Sequence, residues 1–174
     1  AWLGSSVLDG SFGSHYVAVH EAVHHWWGND VAFTDWNHVW LAEGFTEWTT
    51  VFNLLEIVAD PLQAAELRDT YRERAASMSY PPFAGLAQPG PLRMGDDADV
   101  ASQYANNLQF FYTYGAAFLE MVNLRLQRDF GSDLNTLLAQ WYALKAGSLT
   151  TTEEFESFLI QSTGESASWQ TLFE

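Results

Sequence analysis

Apolar side chains recur at intervals of three and four residues along most of this chain, which is the pattern of amphipathic helices. The pattern is clearest between residues 37 and 59, which include Trp40, Phe45 and Trp48. We therefore predict a mainly α fold, with at most a short N-terminal strand at Ala1–Val7. The predicted helices cover about residues 14–27, 37–59, 62–78, 106–130, 132–146 and 150–162, with a last short one at 166–173.

Polar and helix-breaking residues mark where these helices begin and end. Residues 79–99 are rich in Pro and Gly and predict a long irregular segment, a kind of loop that is often functional. The predicted boundary signals are a Ser14 cap, a stop at Gly28-Asn29, a break at Asp60-Pro61, a stop at Gly131, a cap at Ser132 or Asp133, and a capping box at Thr150–Glu153.

The composition, with 48% hydrophobic and 16% aromatic residues, predicts one packed globular domain that covers residues 1–174. The net charge of −15 argues against a nucleic-acid partner, because binding to phosphates needs a basic surface. No apolar run approaches the ~20 residues of a transmembrane helix. The chain starts at Ala1 without a Met or a signal-like segment, so we expect it to be a piece of a longer protein.

The chemistry centres on His20, Glu21 and His24, joined nineteen residues later by Glu43. Side chains at positions i and i+4 of a helix lie on one face, so His20 and His24 can bind one metal ion. Glu21 is rotated by about 100° from His20 and suits a general base beside the metal. Glu43 supplies a third ligand if its helix crosses the first. The alternative is a cluster of His and Glu that has no metal.

The number and type of these ligands predict one catalytic Zn²⁺ per chain. A catalytic zinc takes three protein ligands and keeps one open position, whereas a structural zinc is usually closed by four. The chain has no Cys, which excludes thiolate ligands and disulfides. His15, His25 and His38 are interpreted as surface, capping or other structural residues.

Two segments carry a family resemblance. The first is His20 to Asn29, HEAVHHWWGN, and the second is Trp40 to Trp48, WLAEGFTEW. Together they closely resemble the gluzincin aminopeptidases, the family of aminopeptidase N and leukotriene hydrolase. That family has HExxH, an aromatic-Gly-Asn tail, and a Glu-Gly-Phe motif after eighteen intervening residues. Gly44-Phe45-Thr46 also occurs in the glycyl aminopeptidases, whose sequence after HExxH differs, so we rank them second.

The resemblance implies a thermolysin-like helical catalytic domain, with zinc held by His20, His24 and Glu43. It implies that Glu21 polarises the attacking water and passes its proton to the leaving amine. Tyr112 matches the tyrosine with which the family stabilises the oxyanion, in Phe111-Tyr112-Thr113-Tyr114-Gly115-Ala116. Tyr114 stands where the family has Lys or Arg, and Tyr104 and Tyr114 are alternative candidates for the tyrosine.

Glu47 follows Glu43 by four residues and lies on the same helix face. We interpret it as a hydrogen-bond acceptor that orients a ligand imidazole, or alternatively as an ordinary exposed helix glutamate.

The function predicted from these motifs is a zinc metallopeptidase that removes N-terminal residues from peptides. The alternative is a non-catalytic domain that keeps the scaffold and the metal but only binds a peptide or a partner protein. The family's Gly-x-Met-Glu-Asn segment, whose Glu binds the substrate α-amine, has no match among the residues before His20. The sequence specifies neither the oligomeric state nor the compartment, although an extracellular or cell-envelope location is slightly favoured.

Overall fold

The protein is described by a computed structural model that covers residues 9–77, 110–166, 169, 170 and 173. The described part is mainly α-helical, which confirms the predicted fold class. The predictions for Ala1–Val7, for 79–99 and for the start of the helix at 106 lie outside the described residues. The α-helices are α1 (Phe12–Val23), α2 (Val39–Thr49), α3 (Leu55–Val58), α4 (Pro61–Ser77), α5 (Gly115–Arg125), α6 (Leu134–Lys145) and α7 (Thr152–Thr163). Three π-helical segments, Thr50–Leu54, Phe110–Tyr114 and Leu126–Phe130, adjoin them, and a 3₁₀ turn at Trp36–His38 precedes α2. Among the described helices, none combines the length and the hydropathy that a bilayer span needs.

The structure has two short strands away from the N-terminus, contrary to the prediction that any strand would lie there. Strand β1 (Val31–Phe33) pairs in parallel with β2 (Ser148–Thr150), with Ala32 opposite Leu149. Three residues are too few for an alternating pattern to stand out from the surrounding loop. The pairing joins the turn after α1 to the segment before α7, a contact between distant parts of the chain that local patterning does not encode.

Several helix ends also differ from the predicted ones by a few residues. Helix α1 begins at Phe12 and is capped by Ser11, whose side chain accepts a hydrogen bond from the Ser14 N–H. It ends at Val23 rather than near Trp27. His24 is its C-cap and keeps helical angles, φ −58° and ψ −18°, so the i, i+4 relation with His20 holds. Asp133 caps α6, and the capping box of α7 uses Thr151 and Glu154, one residue later than predicted.

His38 is buried, so the predicted surface position is wrong. Its Nδ1 accepts a hydrogen bond from the Thr152 N–H at 3.2 Å, and Trp40 Nε1 donates to Thr152 Oγ1 at 2.9 Å. These contacts attach the N-terminus of α7 to the start of α2. A histidine that meets its hydrogen-bond partner 114 residues later gives no sign of its burial in the local sequence.

Helix α2 forms the centre of the described core. All ten residues from Val39 to Trp48 are buried, so neighbouring elements cover every face of this helix. Glu43 and Glu47 are buried with the apolar residues. Burial of a carboxylate is costly unless other groups compensate its charge, so both positions require polar partners.

The backbones of α2 and α5 approach each other most closely at two glycines. A Cβ atom placed on Gly115 would lie 2.8 Å from Gly44 Cα, and one placed on Gly44 would lie 3.0 Å from Gly115 Cα. Only residues without a side chain permit this separation. The contact brings the end of the Phe110–Tyr114 segment beside the glutamates of α2.

Replacing Gly115 by Ala is therefore expected to lower the free energy of unfolding by about 1–3 kcal/mol, since the obstructing atoms belong to a backbone and not to a flexible side chain. Denaturant unfolding would measure the loss. Gly13→Ala is the matched control: Gly13 is an exposed residue of α1, and its added Cβ would come no nearer than 3.9 Å to the Ser11 side chain. We expect that control to be neutral or slightly stabilising. Equal stability of the two variants would show that the helix crossing does not depend on the glycine contact.

Candidate metal centre

Three predicted ligands come together from two helices. His20 lies in α1, His24 caps the end of α1, and Glu43 lies in α2. Glu43 Oε2 is 3.6 Å from His20 Nε2 and 3.4 Å from His24 Nε2. The two imidazole centroids are 4.8 Å apart, with the ring planes at 85°. One nitrogen from each histidine and one oxygen from Glu43 all lie within 4.8 Å of one another, a group that could hold a metal ion.

This donor set fits a zinc ion. Ligands at about 2.0–2.1 Å from a tetrahedral zinc lie about 3.3 Å from each other, close to the two distances measured from Glu43. His20 Nε2 is buried and makes no hydrogen bond within the described part of the chain. A buried imidazole nitrogen without a hydrogen-bond partner has lost the hydrogen bond that it would make with water. A bound cation would compensate that loss.

Hydrogen bonds on the far sides of the rings orient both imidazoles. His20 Nδ1 donates to Glu47 Oε2 at 2.9 Å, and His24 Nδ1 donates to the backbone oxygen of Trp27 at 2.9 Å. The same carbonyl oxygen accepts a hydrogen bond from Thr46 Oγ1 at 3.3 Å. Because these hydrogen bonds keep a proton on Nδ1, loss of the other proton would leave a lone pair on each Nε2 towards Glu43, the tautomer that metal binding requires.

The turn after α1 returns the Trp27 carbonyl to His24. Gly28 has φ +102°, a conformation that favours glycine, and its added Cβ would lie 3.3 Å from His24 Nδ1. The Gly28 N–H donates to the oxygen of Val31, and the Asn29 N–H donates to the oxygen of His24. The Trp27-Gly28-Asn29 motif therefore has a local physical role, which is to hold the hydrogen-bond partner of one predicted ligand.

Glu47 is completely buried, which excludes the alternative of an exposed helix glutamate. Its Oε2 accepts from His20, and its Oε1 accepts hydrogen bonds from the hydroxyls of Tyr16 and Tyr71. Neither tyrosine is among the residues predicted from the sequence. Tyr16 stands four residues before His20 on the same face of α1, and this spacing could have indicated it. Tyr71 lies in α4, 24 residues after Glu47, and no local pattern marks it.

Burial raises the pKa of the Tyr16 and Tyr71 hydroxyls far above their ordinary value, and the charge of Glu47 adds to the increase. Both hydroxyls therefore keep their protons and act as donors at any pH near neutrality. The Glu47 carboxylate thus has three donors around it, which compensates for its removal from water.

The charge of the site favours a cation. Burial alone would raise the pKa of the Glu43 carboxyl, but His20, His24 and the Tyr112 hydroxyl outweigh it and lower that pKa to about 2. Burial likewise disfavours the charged form of His20, but contacts with Glu43 and Glu47 raise its pKa to about 9. Two carboxylates within reach of one buried imidazole create a negative environment, which a divalent metal ion would neutralise.

Tyr112 contacts two of the three predicted ligands, His20 and Glu43. The Tyr112 ring stacks on the His20 ring, with centroids 5.2 Å apart and planes at 20°, and its hydroxyl also contributes to the low pKa of Glu43. These contacts favour Tyr112 over Tyr114, which follows it in the same π-helical segment, whereas Tyr104 lies outside the described residues. Glu21 is half-buried on α1, directly after His20.

Comparison with known proteins identifies similar chains. The model of the Peptidase family M1 domain matches residues 13–170. Aminopeptidase M1-A of Oryza sativa subsp. japonica and Aminopeptidase M1 of Arabidopsis thaliana are each 47% identical over 34 residues, which cover 20% of this chain and 4% of theirs. The crystal structure of the M1 zinc metallopeptidase from Deinococcus radiodurans has a similar fold, with a TM-score of 0.60 and 22% identity. That match covers 90% of this chain and 31% of the other, so this chain spans about a third of that protein's length.

Proposed function

We propose that this chain, which belongs to peptidase family M1, forms the zinc-binding catalytic region of a metallopeptidase. The observation that carries the proposal is the convergence of His20, His24 and Glu43, with both imidazole Nε2 atoms turned towards the Glu43 carboxylate. The resemblance to the gluzincin aminopeptidases favours peptides as substrates and their N-terminal residues as the ones removed.

Bound zinc supplies Lewis acidity, which polarises a carbonyl group and lowers the pKa of water towards about 7. Glu21 accepts the proton of the attacking water. It directly follows a predicted ligand in α1 and is rotated by about 100° from it, which suits a position beside the metal instead of on it. The same carboxyl group then gives that proton to the leaving amine. One side chain thus serves first as general base and then as general acid.

Tyr112 donates its hydroxyl proton in a hydrogen bond to the oxyanion that forms when water attacks the carbonyl carbon. Its stacking on His20 supports this role, because that contact holds the ring beside the ligands. Glu47 acts through His20: its carboxylate holds the Nδ1 proton, so that Nε2 stays available to the metal.

Metal content and hydrolysis measured on the same preparation of the full-length protein test the proposal. We expect roughly one zinc per chain, together with hydrolysis of aminoacyl amides that a chelator abolishes and added zinc restores. The matched control is the same amide with an acetylated α-amine, which an aminopeptidase should not cleave. Cleavage of both would indicate a peptidase without N-terminal specificity. A zinc-loaded protein that cleaves no peptide would support the non-catalytic binding domain instead.

A further inference from the structure

The two carboxylate oxygens of Glu47 accept hydrogen bonds from different groups. Its Oε2 faces the metal centre and accepts from His20 Nδ1 at 2.9 Å. Its Oε1 faces away and accepts from the hydroxyls of Tyr16 on α1 and Tyr71 on α4. Because Glu47 is completely buried, bulk water does not reach either oxygen, and the loss of a donor is costly there.

We propose that Tyr16 and Tyr71 are positioning residues for the metal centre, and that they control how tightly zinc binds. The two hydroxyls hold Glu47 in the rotamer in which Oε2 receives the His20 proton. That hydrogen bond in turn selects the tautomer and the ring orientation of His20. The inference rests on the proposed function, since it assigns a zinc-binding role to His20.

The proposal assigns a role in metal binding to α4, a helix that holds none of the three predicted ligands. A second contact, next to the hydrogen bond between Tyr71 and Glu47, also holds α4 in place. Arg72, adjacent to Tyr71, donates from Nε to Glu120 Oε1 at 3.2 Å, and Glu120 is 1% exposed. Glu120 Oε2 accepts from the indole of Trp48, the neighbour of Glu47, at 3.1 Å. Two adjacent pairs of residues, 71–72 and 47–48, therefore connect α4 to the helix of the third predicted ligand.

The size of the expected effect follows from how many donors remain. Loss of a partner that orients a metal ligand typically weakens metal binding by about 10- to 100-fold. With one hydroxyl removed, Oε1 keeps the other, so each single variant should weaken zinc binding by about 3- to 10-fold. With both removed, Oε1 has lost both hydroxyls, and the loss should reach about 10- to 100-fold. The double variant should therefore lose more than either single variant, by about the product of the two single losses.

Zinc affinity of the full-length protein, measured by competition with a chromophoric chelator at fixed pH, tests the inference. The variants are Tyr16→Phe, Tyr71→Phe and the double variant, and phenylalanine keeps the ring packing in each. The matched control is Tyr142→Phe, which removes a tyrosine hydroxyl that donates to Asp30 instead of to Glu47. Its zinc affinity should equal that of the wild type. The visible spectrum of the Co²⁺-substituted protein provides a second readout, because it reports ligand geometry and should shift in the tyrosine variants alone.

Two outcomes overturn the inference in different ways. If the wild type binds zinc and both single variants bind it equally tightly with unchanged cobalt spectra, the tyrosines serve packing alone while the proposed function stands. If the wild type binds no zinc, the proposed function and this inference fail together. Thermal unfolding followed by circular dichroism identifies any variant that does not fold. Should the double variant unfold, the two single variants decide the test.

Discussion

Replacing Glu21 by Gln is expected to lower kcat by about 10²- to 10⁴-fold while roughly one zinc remains bound per chain. Glutamine has nearly the same shape as glutamate, so α1 and the orientation of His20 should be retained. Its amide cannot accept the proton of the attacking water or deliver one to the leaving amine. Steady-state hydrolysis of an aminoacyl amide, with zinc determined by elemental analysis on the same sample, would measure both quantities.

The control for this variant is Glu66→Gln, the same substitution at an exposed position of α4. It also changes the net charge by one unit, so it separates loss of the base from a general electrostatic effect. We expect its kcat and zinc content to match those of the wild type. If Glu21→Gln keeps its activity within tenfold, the general-base role is wrong. If it loses its zinc, Glu21 takes part in metal binding, which would revise the ligand set.

Replacing Tyr112 by Phe is expected to lower kcat by about 10²- to 10³-fold, the usual loss when one oxyanion donor is removed. The phenyl ring keeps the stacking on His20, so zinc content should not change. The substrate KM should change much less than kcat, because the hydroxyl stabilises charge that develops in the transition state. Single-turnover hydrolysis would assign the loss to the chemical step.

Tyr114→Phe and Tyr104→Phe serve as controls, because both residues are alternative candidates in the sequence for the same role. Each should keep kcat within a few-fold of the wild type. A loss of 10²-fold or more in one of them, with Tyr112→Phe unaffected, would transfer the oxyanion role to that tyrosine. A raised KM with unchanged kcat in Tyr112→Phe would indicate that the hydroxyl binds the ground state.

The sequence alone determined the features that depend on short-range geometry. His20 and His24 share a helix face because four residues make just over one turn, and this holds wherever the helix packs. Long amphipathic runs identified the helices for the same reason. The predicted caps were wrong by one to three residues at Ser11 and Thr151, since neighbouring serines and threonines compete for the same helix start. The end of α1 at Val23 was missed because a helix end is specified less sharply by sequence than its length. Strands of three residues carried no detectable pattern.

The packing of the helices decides which distant groups meet at the candidate metal centre. Helix geometry acts over a few residues and does not predict that α1 and α2 bring Glu43 within 3.4 Å of His24 Nε2. It also does not predict that Gly44 contacts Gly115 beside the segment that holds Tyr112. It cannot indicate Tyr71, which donates to Glu47 from another helix. A buried carboxylate must find donors within hydrogen-bond distance, but their source depends on how the helices pack. The positions of the predicted ligands could therefore be read from the chain, and the groups that hydrogen-bond to them were visible only in the fold.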